Sequence, residues 1–333
     1  MGPAFYTTIR DVTPALASPR MSPLSGPLTG RRTATVANPL DVAPAAGPPH
    51  HTSSSPAAAS GVEGVSSRSN GAASGVEPSQ PDIMRFMPAD MPTILATSGG
   101  LFPDPRTLVR PGPLLDYALE LARPKSTPRL CFINTAGGDQ AWWNASMHAA
   151  YYERDVVVSC LNLFPMPNLT DAAAHLLSQD VVWVGGGSTA NLLALWRLHG
   201  LDRILRDCWE AGVVLAGVSA GSICWHVGGT TDSFGPELRP VTDALGFLPF
   251  SNGVHYDAEE QRRPLFQRLV AEGVLPAGYA TDNGVGLVYR GTEMVEAVTE
   301  VAGPGAYHVQ RGPDGLAEET RIEPRLLPGA VGR

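Results

Sequence analysis

Gly212-Val213-Val214-Leu215-Ala216-Gly217-Val218-Ser219-Ala220-Gly221-Ser222-Ile223-Cys224-Trp225 joins an apolar run to a helix-compatible segment, with a serine at the junction. The apolar run suits a buried strand, and it stops at Gly217, just before Ser219. The spacing is G-x-S-x-G between a strand and a helix. That is the pattern of a nucleophile elbow, in which a serine on a tight turn exposes its hydroxyl. Glycines on either side let the backbones approach without Cβ clashes. The helix N-terminus just beyond aims free N–H groups at any oxyanion formed there. So short a pattern recurs by chance, and its meaning depends on a base, an acid and a second oxyanion donor elsewhere.

Upstream of this stretch the chain alternates strands and helices. Thr93-Ile94-Leu95-Ala96-Thr97 is a short apolar strand closed by Ser98-Gly99-Gly100. Leu114, Leu115, Ala118, Leu119 and Ala122 then recur at helical spacing. A second strand over 129–135 leaves through Ala136-Gly137-Gly138-Asp139, and a helix over 140–152 leads to a third strand over 156–161. Thr170 or Asp171 can cap a short helix ending near Ser178. The strand over 180–184 runs into Gly185-Gly186-Gly187-Ser188-Thr189, and a helix with Leu192, Leu193, Leu195, Trp196 and Leu198 apolar and another over 201–211 return the chain to the elbow. This alternation predicts an α/β fold with a mostly parallel sheet and helices on both faces. Ligands on such sheets bind beyond the carboxyl ends of the strands, so the glycine loops and the elbow should converge on one cleft. Past the elbow the pattern loosens. Residues 228–236 read as a loop and 258–272 as a charged helix; 285–289 reads as a strand, with short strands near 294–298 and 306–309 finishing the sheet.

Composition divides the 333 residues unevenly. Residues 1–88 are rich in Pro, Ala, Ser and Gly and hold few large apolar side chains. Such a segment cannot bury enough surface to offset its ordering entropy, which predicts a disordered extension. Met84 or Met87 could even be the true start of the protein. Residues 89–311 suit one catalytic domain, and the tail over 312–333 has little pattern. The 24 basic against 32 acidic residues give a net charge of −8, with no basic stripe, which argues against a nucleic-acid partner. No apolar run is long enough to span a bilayer, and the first twenty residues lack the order of a signal peptide. Cys131, Cys160, Cys208 and Cys224 lack metal-ligand spacing and read as buried free thiols in a reducing compartment. The expectation is a cytoplasmic protein, monomer or homodimer, with no cofactor and no metal.

Serine near neutral pH needs a base within hydrogen-bond reach, itself oriented by another group. Among the histidines, His50 and His51 fall in the extension, and His148, His175, His199 and His226 suit surface or packing roles. His255 differs, because it sits in a loop after an apolar run, between Asn252-Gly253 and Tyr256-Asp257. Two acids are open. Asp282 precedes Asn283-Gly284 at a strand end, and Asp232 lies in the loop after the elbow helix. Either aspartate could simply cap a turn. Gly185-Gly186-Gly187 can present unobstructed N–H groups beside the Ala220 amide. That run lacks the Lys-Ser/Thr of a P-loop and the spacing of a dinucleotide site.

These motifs, in this order, resemble the dipeptidase E (aspartyl dipeptidase) family of serine peptidases, relatives of the cyanophycinases. The resemblance covers roughly residues 92–300. It implies a class I glutamine-amidotransferase-like fold with serine in place of the elbow cysteine. It further implies Ser219 as nucleophile, His255 as general base and acid, and a carboxylate where Asp282 stands. Gly186 or Gly187, with Ala220, would supply the oxyanion amides. In aspartyl dipeptidases an arginine after the histidine holds the substrate aspartate, a role open here to Arg262 or Arg263. Their neighbours Glu259 and Glu260 could instead pair with them on a surface helix.

The expected activity is therefore hydrolysis of short peptides, with or without an Asp-X preference, through a Ser-His-Asp triad and an acyl-enzyme. Two readings compete. An α/β-hydrolase-type esterase shares G-x-S-x-G, has the triad order Ser, Asp/Glu, His, and would use Asp232. A catalytically silent amidotransferase-like domain would bind a small molecule or a partner.

Overall fold

Strand side chains point alternately to opposite faces, so an apolar strand buried on both sides needs a layer over each. The computed structural model describes residues 89–332 and supplies both layers; the extension expected over 1–88 lies outside the described residues. The chain runs β1 (Thr93–Thr97), a hairpin of β2 (Leu101–Asp104) and β3 (Leu108–Pro111), then α1 (Pro113–Ala122). It continues through β4 (Arg129–Ile133), α2 (Ala141–Ala150), β5 (Val157–Leu161), α3 (Ala172–Leu177) and β6 (Val181–Val184). Next come α4 (Thr189–His199), α5 (Leu201–Glu210), β7 (Val214–Val218) and the short α6 (Ala220–Ile223). The remainder is β8 (His226–Thr231), β9 (Arg239–Val241), β10 (Leu248–Gly253), α7 (Arg262–Ala271), β11 (Gly278–Thr281), β12 (Val285–Arg290), β13 (Glu293–Val301), β14 (Ala306–Arg311), β15 (Ala317–Ile322) and β16 (Arg325–Val331).

The main sheet has the order β16-β13-β12-β1-β7-β6-β4-β5. Its block β1, β7, β6, β4, β5 is parallel, and β12 runs antiparallel to β1. Along these strands Ile94, Val182, Val184 and Leu215 pack with Leu192, Trp196, Leu205 and Cys208 of α4 and α5. Leu95, Val181, Trp183 and Val214 face the other way, onto Leu114 and Leu115 of α1 and Met147 of α2. Helix ends follow local chemistry. Asp171 caps α3 by accepting the Ala174 N–H at 2.9 Å, and Ser188 caps α4 by accepting the Asn191 N–H at 3.2 Å.

The second half departs from the single sheet expected. A separate six-stranded sheet, β15-β14-β11-β10-β8-β9, takes β14 away from the main sheet. The residues read as a loop at 228–236 begin inside β8, and the tail without pattern forms β15 and β16, one in each sheet. The charged helix is shorter than expected, because residues 258–261 form turns ahead of α7. Phe266, Leu269 and Val270 of α7 cover the second sheet against Tyr256, Tyr307 and Val309. Cys131, Cys208 and Cys224 are buried and free, and Cys160 is free and half-buried.

One buried acid ties the two ends of the described chain together. Glu300, 2% exposed at the end of β13, accepts Gly100 N–H at 2.7 Å and Leu114 N–H at 3.1 Å. The second bond satisfies an orphan donor in the first turn of α1. Burial nevertheless dominates and pushes its carboxyl up to about 7, against the two backbone bonds that favour the anion.

Candidate active site

Ser219 stands between β7 and α6 at φ 59° and ψ −114°, a conformation that side chains with a Cβ adopt only when their surroundings force it. Its own N–H donates to Thr97 O at 3.1 Å, and its carbonyl accepts Ser222 N–H and Ile223 N–H at 2.9 Å each. The close crossing needs Gly221. A Cβ there would lie 2.2 Å from Val184 O on the neighbouring strand. The elbow helix is braced from below, since Ser222 Oγ donates to Asn252 Oδ1 at 2.9 Å and links it to β10. His226, fully buried, bonds Ser222 O through Nδ1 at 2.9 Å and faces the Tyr289 hydroxyl through Nε2 at 3.2 Å. Its packing role is the one its position after the elbow helix suggested. Ser219 is half-buried, and its Oγ has no hydrogen-bond partner among the described residues. Contacts between nucleophile and base commonly tighten only when substrate arrives.

The glycine run lies against this serine. A Cβ on Gly186 would sit 3.2 Å from Ser219 Cβ and 3.8 Å from Ser219 Oγ. Gly187, at φ 136°, passes so close to the 135–137 turn that a Cβ would meet Ala136 O at 2.3 Å. Ser188 N–H donates to the same carbonyl at 2.9 Å, fixing the loop. Ala220 is the first residue of α6, where a main-chain N–H has no intrahelical acceptor. Gly186 therefore lies against the Ser219 side chain, Gly187 continues the same loop onto Ala136, and Ala220 follows Ser219 at the start of α6. Beyond Gly187 a cavity of about 350 Å³ opens, lined by Thr135, Ala136, Gly138, Phe164, Asn191, Ala194 and Leu195, none of them charged.

His255 also sits at positive φ, 52°. Its N–H donates to Ser98 Oγ at 3.1 Å, so Ser219 and His255 are anchored on consecutive residues at the carboxyl end of β1. Its Nδ1 meets Asn283 Oδ1 at 2.6 Å. An amide oxygen only accepts, so the ring proton sits on Nδ1 and Nε2 keeps its lone pair. Burial lowers the imidazole pKa below its ordinary value. The Asn283 contact opposes that shift, Arg262 adds to it, and Glu259 and Asp257 oppose it.

Neither expected acid reaches this ring. Asp282 is 4% exposed and turned the other way: Oδ2 accepts Gly305 N–H at 2.8 Å and Tyr307 O–H at 3.2 Å. Its Oδ1 is buried without a partner, and burial raises its pKa. The carboxylate expected to orient the histidine instead pins the start of β14. Asp232 is exposed, and the structure gives its carboxylate no bond to His255; its carbonyl accepts Gly235 N–H at 3.1 Å.

The arginines are committed as well. Arg262, 2% exposed, bonds Glu259 Oε2 through Nε at 2.6 Å and also donates to Thr230 O. Arg263 pairs with Glu319 and lies 5.3 and 4.8 Å over the rings of Tyr256 and Tyr307. Three residues of the site went unassigned in the sequence: Asn283, Ser98 and Asp257, whose Oδ1 accepts Asn283 N–H at 2.8 Å. Asn283 was visible only as the turn residue after Asp282.

Comparison with known proteins gives the chain a family. The sequence model of peptidase family S51 matches residues 94–297. The uncharacterized peptidase YgaJ of Bacillus subtilis strain 168 is 40% identical over 231 residues, covering 68% of this chain and 96% of that protein. Peptidase E of Shewanella denitrificans is 26% identical over 196 residues, covering 55% of this chain and 80% of that protein. Among solved structures, a peptidase from an acI-B1 actinobacterium aligns with a TM-score of 0.47 at 16% identity, covering 69% of this chain and 95% of that one.

Proposed function

The chain belongs to peptidase family S51, and we propose that it hydrolyses short peptides as a serine peptidase with Ser219 as nucleophile. His255 is the general base and acid, and Asn283, in place of the expected Asp282, holds its imidazole. The observation that supports this most is the anchoring of two strained residues, Ser219 and His255, on Thr97 and Ser98 at one strand end. Strain of this kind persists where the surroundings over-determine it, which is characteristic of functional sites.

In the first step Ser219 Oγ forms a bond to the substrate carbonyl carbon as His255 Nε2 takes the hydroxyl proton. The carbonyl oxygen becomes an oxyanion that the Ala220 amide and an amide of Gly186 or Gly187 stabilise. Collapse breaks the C–N bond, and His255 returns the proton to the leaving amine. Water then attacks the acyl-enzyme with the same base, releasing the acid and restoring Ser219. Asn283 fixes the ring orientation and tautomer throughout.

The substrate side chain is proposed to be uncharged. Arg262 and Arg263 are both paired with glutamates, and the cavity beside Gly187 has no charged lining. A panel of dipeptides assayed beside simple esters tests the reading. Cleavage of dipeptides with small or apolar residues is expected to exceed cleavage of Asp-X. Ester hydrolysis without peptide hydrolysis contradicts it. No helix among the described residues is long and apolar enough to cross a membrane. A cytoplasmic setting fits the free thiols, of which burial pushes Cys131 up to about 11.

The pH profile should carry the mark of His255. The base works only when neutral, so kcat/KM rises as pH climbs through the imidazole pKa of the free enzyme. Because that pKa is lowered, the acid limb should have its midpoint below the ordinary histidine value of about 6.5. A midpoint clearly above that value contradicts the assignment of His255.

A further inference from the structure

His255 and Asn283 leave the second sheet on neighbouring strands. β10 and β11 run parallel, with Gly253 beside Ala280, so their carboxyl-end loops emerge together. Tyr256 N–H donates to Thr281 O at 3.1 Å, and Ser98 Oγ meets the Thr281 hydroxyl at 2.7 Å. These bonds fix the loops just before Asn283. Asp257 spans what remains: it follows His255 by two residues, and its Oδ1 accepts Asn283 N–H at 2.8 Å.

Charge gives this tie a second meaning. Serine triads generate an imidazolium, and a carboxylate third member both orients and stabilises it. Asn283 orients the ring and carries no charge. It also stands between two carboxylates, since Asp282 binds Gly305 and Tyr307 on one side and Asp257 binds its main chain on the other. A third carboxylate at 283 would be repelled by both. The charged groups that act on His255 are Asp257, Glu259 and Arg262. Glu259 and Arg262 are bonded to each other at 2.6 Å and act on the ring with opposite signs, and Asp257 acts in the same sense as Glu259.

We propose that Asp257 is a positioning residue of this site: its carboxylate ties the loop of Asn283 to the loop of His255 and places near the imidazolium the negative charge that Asn283 lacks. The proposal rests on His255 being the general base. Asp257 is exposed, so its replacement leaves the core intact.

The experiment compares Asp257→Asn, which keeps an acceptor oxygen and removes the charge, with Asp257→Ala, which removes both. Two readouts are used: kcat and KM on a cleaved dipeptide, and titration of the His255 ring followed by NMR. Asp257→Ala is expected to lower kcat by about 10- to 100-fold with KM little changed, the scale of a misplaced catalytic group. Asp257→Asn should lower kcat less, and in both variants the His255 midpoint should move down in pH. Adding Asn283→Asp to Asp257→Asn should raise the midpoint again and recover part of kcat. An unmoved midpoint in both single variants overturns the proposal, even if kcat falls, because bare structural damage would give that result. The titration needs no substrate. A midpoint that shifts in the Asp257 variants when the wild type cleaves no peptide would sink the peptidase reading while leaving the Asp257 coupling in place.

Discussion

Ser219→Ala is expected to lower kcat on a cleaved dipeptide by about 10⁴- to 10⁶-fold while the protein stays folded, the scale seen when a serine triad loses its nucleophile. The size of the effect follows from the geometry. The Ala220 amide, the Gly186–Gly187 loop and the cavity beyond it all survive the change, so substrate should still bind and KM should move little. Only the covalent step is lost. Alanine would also keep the backbone strain at φ 59°, because the turn is imposed by Thr97, Ser222 and Ile223 and not by the serine hydroxyl. Steady-state kinetics and a melting curve on the purified variant check both halves. Retention of most of the activity would place the chemistry elsewhere.

The largest effect on stability is expected from Gly221→Ala. Its Cβ would stand 2.2 Å from Val184 O and 2.7 Å from Val184 C, atoms of a central strand that cannot yield. Forced overpacking of this kind costs about 3 kcal/mol or more, against the 1–3 typical of an inserted methylene. For a domain of this size that corresponds to a drop in Tm of roughly 6–12 °C. Gly273→Ala is the control. Gly273 sits at φ 72° with open space around it, so only the left-handed backbone penalty applies, on the order of 1 kcal/mol. Thermal melts of the two variants should therefore differ clearly, and equal melting points would contradict the tight crossing at the elbow.

The elbow was legible because its signal is local. A strand, a glycine, a serine and a second glycine lie within ten residues, and each is demanded by the same crossing. The parallel strands β1, β4, β6 and β7 were legible for a similar reason, since strands buried on both faces read as apolar runs, and the half-buried edge strand β5 still reads Val-Val-Ser-Cys-Leu. The second sheet hid itself. β8 contains Gly228 and Gly229, which look like a loop, yet they let the strand lie close to its neighbours: a Cβ on Gly228 would meet Val241 O at 2.0 Å. β15 reads Ala-Glu-Glu-Thr-Arg-Ile and is recognisable only through its pairing with β14.

The side chain that meets His255 lies one residue from the one expected, for a physical reason. After β11 the side chains of Asp282 and Asn283 diverge. Which of them meets His255 is decided by Gly305 and Tyr307, which capture the Asp282 carboxylate from more than twenty residues downstream. A carboxylate and an amide side by side in a turn carry no sign of that capture. Arg263 shows the same limit, because Glu319, which pairs with it, comes from 56 residues downstream, whereas Glu259 lies three residues before Arg262 and its pairing was open to local reading.

The central claim is that Ser219 is an activated nucleophile, and covalent labelling tests it most directly. The wild-type protein is treated with a serine-directed fluorophosphonate near neutral pH, and the modified peptide is located by mass spectrometry. The expected result is a single adduct on Ser219, absent from Ser219→Ala and slowed in His255→Ala. A wild type left unlabelled, or an adduct on another residue, would contradict the account and favour a silent binding domain built on the same fold.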